Sequence, residues 1–145
     1  MSKTDHSVAE IRATLQNWAE AARIFNIPVL LDHYTDDIRA FDAVIQTQFI
    51  GKKAYGDHWQ ACSQFCTGPL VFEISDPKIE ASDNVGFCHC LLRCGGTDAN
   101  GVEKTSWMRM TSCLLKEGGR WRIVHEHFSL PFDMESGKAL FDLEP

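Results

Sequence analysis

The chain has 145 residues, 44% of them hydrophobic and 23% charged, and a formal net charge of -6. This length suits one domain with its own core, and the composition is that of a globular chain rather than a disordered or fibrous one. The acidic balance and scattered basic residues exclude a nucleic-acid footprint, and no apolar run approaches the roughly 18 residues that a membrane helix needs. The polar opening MSKTDHSVAE is not a secretory leader, which points to a cytoplasmic protein with reduced cysteines.

The first element is a long amphipathic helix. Ser7 and Glu10 have the spacing of a capping box, and Val8, Ile11, Leu15, Trp18, Ala22 and Phe25 recur three and four apart. Asn26 and Pro28 mark a break and a restart as a short helix running to Tyr34. Asp36 and Asp37 then signal a turn, and the β-branched and aromatic residues after it signal a strand. From Gly51 to about Phe65 the pattern is again helical, with Tyr55, Trp59 and Cys62 on one face, and Gly68-Pro69 ends it.

Four strands follow, over Leu70–Ala81, Asn84–Cys94, Val102–Lys116 and Arg120–Pro131. Turn residues at Asp83-Asn84, between Gly95 and Gly101, and at Gly118-Gly119 separate them. Helices first and an antiparallel run afterwards define an α+β fold. In the last strand, strict alternation puts Trp121, Ile123, His125, His127 and Ser129 on one face and Arg122, Val124, Glu126 and Phe128 on the other. Neither face is cleanly polar, so both are expected to be covered, one by helices and one by a second subunit. The tail DMESGKALFDLEP is polar with apolar spots and is expected to dock on a neighbour.

Cys62, Cys66, Cys88, Cys90, Cys94 and Cys113 lack the CxxC pairing of a structural zinc site and read as small buried thiols. No metal or other cofactor is expected.

The order of elements, the segment HYTDDIRAFD ending at Asp42 and followed by Gly51, and the run GGRWRIVHEHFS together resemble the nuclear transport factor 2-like superfamily, and within it the SnoaL-like, ketosteroid isomerase-like domains. The resemblance covers nearly the whole chain. It implies one domain over residues 1–145: a cone-shaped, curved antiparallel sheet packed on a long N-terminal helix and two shorter helices. It also implies a homodimer through the outer face of the sheet. A hydrophobic pocket would take a small apolar molecule of polyketide or steroid type. The implied activity is that of a cofactor-independent isomerase, cyclase or hydratase/lyase. The alternative is a non-catalytic binding or assembly module of the same fold.

The family's general-base aspartate corresponds to Asp42. Its oxyanion-donor tyrosine on the first helix corresponds to Trp18, and its second donor, a neutral aspartic acid, to Thr111. Pocket tyrosines correspond to Tyr34 and Trp59, and last-strand pocket residues to Val124, Glu126 and Phe128. An indole N–H and a hydroxyl are weaker donors than a phenol or a carboxylic acid, so steroid isomerisation itself is not expected.

Each candidate has a plainer reading beside it. Asp42 is either a desolvated general base or a paired strand aspartate. Glu126, facing an apolar interior, reads more simply as a buried pair with Arg109 or Arg93 than as a pocket residue that, with Arg109, shapes the polar end of a ligand site. His89 is either an acid–base partner of Asp42 or a satisfied core histidine. His125 and His127 share a face and read as an interface pair before a metal site. Among the aromatics, Trp18, Trp59, Trp107 and Phe128 are the candidate cavity walls, Phe25, Phe41, Phe65 and Phe87 the remaining core.

Overall fold

The computed structural model describes residues 2–145, Thr67 through its backbone alone; Met1, the first residue of the expected domain span, lies outside them. Helix α1 (Lys3–Arg23) starts earlier than the Ser7 box predicts. Ser2 is its cap: its hydroxyl accepts from Asp5 N at 3.0 Å, and Asp5 Oδ2 accepts from Ser2 N at 3.1 Å. Aspartate closes the box here in place of the usual longer acid, and Ser7 is buried in the helix. The inward stripe is the predicted one, with Ile11, Leu15, Trp18 and Ala22 buried. Helix α2 (Ile27–Asp32) is capped by Asn26, whose side chain accepts from Val29 N.

Strand β1 (Tyr34–Phe41) runs straight through Asp36 and Asp37. The expected turn there is an exposed irregularity, where the register against the last strand shifts between Tyr34 and Arg39. Strand β2 (Phe49–Ile50) is short. Helix α3 (Lys52–Cys62) follows Gly51, whose φ of 92° favours glycine. A 3-10 turn (Ser63–Phe65) leads into β3 (Thr67–Ala81), β4 (Val85–Thr97), β5 (Glu103–Glu117) and β6 (Arg120–Ser129). The hairpin between β5 and β6 turns on Gly118 and Gly119, with φ of 57° and 81°, as the paired glycines predict.

The six strands form one curved, unclosed sheet in the order β2-β1-β6-β5-β4-β3. Strand β1 runs parallel to β6; the other pairs are antiparallel. Helix α1 crosses the inner face. Trp18, fully buried, stacks on Phe128 with centroids 6.2 Å apart and meets Phe72 edge-on at 5.2 Å. Burial of a side chain of this size contributes about 3 kcal/mol.

The unclear polarity of β6 has a physical cause. Cys113 pairs with His125 while Leu114 pairs with Ile123, so Val124 is an extra residue in a β-bulge. The bulge reverses the alternation. Trp121 and Ile123 point inward before it, Glu126 and Phe128 after it, and His125 and His127 turn outward.

The outer face carries Phe41, Phe87, Leu91 and Trp107 among Arg39, His89, Arg109, His125 and His127. The C-terminal tail leaves Phe132, Met134, Phe141 and Leu143 exposed. None of the helices among the described residues is long and apolar enough to cross a membrane.

Candidate functional site

A cavity of about 190 Å³ opens between α3 and the inner face of the sheet. Its walls are apolar. Phe25 and Trp59 stand on the helical side, with Phe72, Leu92, Met108 and Phe128 on the sheet. Its polar groups are few: Asp42, just past the end of β1, and His58 of α3, together with the sulfurs of Cys62, Cys66 and Cys94. A wider groove of about 580 Å³ runs along α1 and the edge strand β3. Arg23 in that groove is already bonded to Glu20, and no buried acid–base pair lines it. The smaller cavity is therefore the candidate site.

Asp42 is not a lone carboxylate. His58 Nε2 lies 3.1 Å from Asp42 Oδ2, and Val44 N donates to Asp42 Oδ1 at 3.3 Å. The His58 side chain is 3% exposed and that of Asp42 15%. Phe49 stacks on the imidazole, with centroids 4.0 Å apart, and fixes the plane of the ring. Burial disfavours the charged imidazole, but the Asp42 hydrogen bond and charge, with the Cys62 sulfur, outweigh it and hold His58 at about 9. At neutral pH the pair is an imidazolium beside a carboxylate.

Behind this cavity lies a second buried acid. Glu126 is 0% exposed. Tyr55 Oη donates to its Oε2 at 3.1 Å, and Tyr34 Oη accepts from Trp18 Nε1 at 2.8 Å beside it. Burial pushes the Glu126 carboxyl up to about 8; the Tyr34 and Tyr55 hydroxyls pull it down, and the Asp42 charge adds to the rise. Both phenols are pushed well above their usual range, first by burial and then by the charge of Glu126. Glu126 is thus a neutral acid at the centre of an aromatic core, not half of a salt bridge.

The proposed residues fall into three places. Asp42, Trp59 and Phe128 meet at the cavity. Trp18, Tyr34 and Glu126 meet in the core behind it. His89, Trp107, Arg109 and Thr111 lie on the outer face, away from Asp42.

Parity explains the last group. The inward residues of β4 are Cys88, Cys90 and Leu92, and those of β5 are Met110, Ser112 and Leu114, so the residues between them point out. Thr111 is one residue from the inward Ser112, which pairs with Glu126 across the sheet. Arg109 bonds Ser129 Oγ at 3.0 Å, and Arg93 bonds Glu73 and Glu103, so neither arginine neutralises Glu126. His89 stacks on Phe87, and His125 and His127 pack edge-on to Phe41. Among the described residues no group of three or more metal-ligating side chains converges.

His58 and Tyr55 are the site residues that sequence reasoning missed. Their signal was present: Tyr55, His58, Trp59 and Cys62 fall three, four and seven apart, one stripe of α3. Gly56 within that helix lets α2 approach, since a Cβ there would lie 2.7 Å from Leu31 Cδ1.

A family profile for the SnoaL-like domain matches residues 11–133. Among solved structures, an NTF2-like protein of unknown function from Pseudomonas putida KT2440 is 43% identical. The match covers 98% of this chain and 99% of that one, with a TM-score of 0.89. A ketosteroid isomerase-like protein from Erwinia carotovora atroseptica SCRI1043 is 20% identical over 84% of this chain and 94% of that one, with a TM-score of 0.71. A candidate dehydratase of the NTF2-like family from Streptomyces avermitilis is 12% identical over 87% and 97%, with a TM-score of 0.76. These last two likenesses carry the fold alone. No curated protein matches the chain. The profile match and the near full-length identity to an NTF2-like protein agree: the chain belongs to the SnoaL-like domain family, within the NTF2-like superfamily.

Proposed function

We propose that the cavity binds a small, largely apolar carbonyl compound, and that the Asp42–His58 pair exchanges protons with it. One observation carries this reading: a buried, charged acid–base pair at the edge of an otherwise apolar cavity of about 190 Å³. Asp42 Oδ1, engaged only by Val44 N, is the proton acceptor toward a carbon next to a carbonyl. His58 Nδ1 is the donor toward the oxygen that gains charge. An acceptor and a donor side by side suit isomerisation, or loss of water from a β-hydroxy ketone, without a cofactor. The dehydratase naming of one fold relative is consistent with that class. The core residues Trp18, Tyr34, Tyr55 and Glu126 fill the depth of the cone, so the ligand is smaller than a steroid.

The test is hydrogen–deuterium exchange next to the carbonyl of cyclohexanone in heavy water, followed by proton NMR. Wild type is expected to accelerate exchange, and Asp42→Asn to return it to the buffer rate. Equal rates for the two proteins would sink the acid–base reading.

The second reading, a non-catalytic assembly module, is favoured by that filled interior and by the apolar residues outside it. A second copy of the chain would cover the outer face around Phe41, Phe87, Leu91 and Trp107, with the exposed Phe132 and Phe141 of the tail against its neighbour.

A further inference from the structure

The sulfur beside the acid–base pair is not needed for proton exchange, and its position has chemical meaning. Cys62 follows His58 by one helical turn, on the same stripe of α3, and lines the same cavity. Its Sγ lies 3.9 Å from His58 Nδ1 and 3.8 Å from Nε2. Nε2 is taken by Asp42 at 3.1 Å, which leaves Nδ1 for the thiol. The sulfur sits beside the ring, about equally far from its two nitrogens, so thiol, imidazole and carboxylate form one cluster of the kind that activates a cysteine once the ring turns Nδ1 toward Sγ.

We propose that Cys62 is a nucleophile toward α,β-unsaturated ketones bound in this cavity. This deepens the reading above, on which it rests for the cavity's ligand class. In the reaction the Cys62 Sγ bonds to the β carbon of the enone. The C=C π pair moves toward the carbonyl as an enolate. The thiol proton leaves to solvent, the His58 imidazolium steadies the thiolate, and its Nδ1–H delivers a proton to the α carbon and is replaced from solvent. The net change is addition of S–H across C=C, with no oxidant or reductant. The enone is also the product that loss of water from a β-hydroxy ketone would leave in the same place.

The other cavity thiols differ in their surroundings. Burial pushes the Cys94 thiol up to about 12, with the nearby Cys66 adding to the rise, so Cys94 stays protonated. Cys66 packs its sulfur against the Gly96 backbone, where a Cβ would come within 3.1 Å of it. Cys66 is therefore the internal control.

The experiment treats the intact protein with 2-cyclohexen-1-one at pH 6.5 and follows each cysteine by peptide mass mapping. Cys62 is expected to react at least about tenfold faster than Cys66, and His58→Gln to remove that advantage. Asp42→Asn, which leaves the imidazole in place but unoriented, is expected to slow Cys62 as well; Cys62→Ala abolishes the fast adduct. Circular dichroism checks that each variant is folded.

Cys62 reacting no faster than Cys66, or at a rate indifferent to His58→Gln, overturns the proposal. Binding of saturated cyclohexanone, read from shifts of the His58 ring protons, separates this failure from failure of the cavity reading. Binding with an inert Cys62 refutes the nucleophile alone. A fast, His58-dependent Cys62 without ketone binding shows an activated thiol but overturns its assignment to enones bound in this cavity, together with the proton-exchange reading.

Discussion

Replacing Glu126 by glutamine should alter how stability depends on pH. The carboxyl is fully buried, with Tyr55 as a hydrogen-bond donor and no cation beside it, and burial lifts it from 4.5 to about 8. Between those values the folded protein holds a proton that the unfolded chain has released. Stability therefore falls as pH rises through this window.

From pH 4.5 to pH 6.5 the loss is about 2.3 kcal/mol, because the slope reaches 1.36 kcal/mol per pH unit only once the unfolded carboxyl is fully ionised. The window is chosen to isolate this group. The His58 contribution is fully present below 6.5 and is lost only as pH rises toward about 9. The carboxylates held low by hydrogen bonds or ion pairs, Asp5, Asp32, Asp98 and Asp133, act below the window. Urea unfolding followed by tryptophan fluorescence measures the effect. For a chain of this size the midpoint should drop by about 1–2 M across the window in wild type, and stay nearly level in Glu126→Gln. A wild-type slope that survives the substitution would refute the claim that Glu126 is a buried neutral acid.

Two further predictions test the site and the fold. Asp42→Asn removes the partner that holds His58 near 9, so in a Glu126→Gln background, where the Glu126 titration toward 8 is absent, the loss of about 3 kcal/mol between pH 6.5 and pH 9 should largely vanish in urea titrations when Asp42→Asn is added. Gly119→Ala forces a side chain into a φ of 81° in the β5–β6 hairpin; a cost of about 1 kcal/mol is expected in thermal or urea unfolding, and no cost would mean that the turn adopts another geometry.

Much of the fold was legible in the sequence because it rests on local periodicity. The stripe Ile11, Leu15, Trp18, Ala22 predicts α1 and the face it buries. Gly118-Gly119 predicts the hairpin, and the β-rich second half predicts a sheet on which the helices pack. Asp42 was readable as a candidate through the family resemblance, and the structure puts it on the wall of the cavity.

What the sequence could not determine is parity and partnership. One bulge at Val124 changes which side of β6 faces the core, and strict alternation has no means of counting an extra residue. On β4 and β5 a single residue decides whether His89, Arg109 and Thr111 meet Asp42 or face away, and that step is set by strand pairing across the sheet. The pairing of Asp42 with His58 joins positions 16 apart through the packing of α3 on the end of β1. The neutrality of Glu126 follows from what surrounds it. A glutamate looks the same in any sequence, and only the tertiary structure, by removing water and supplying phenols instead of a cation, keeps its proton in place.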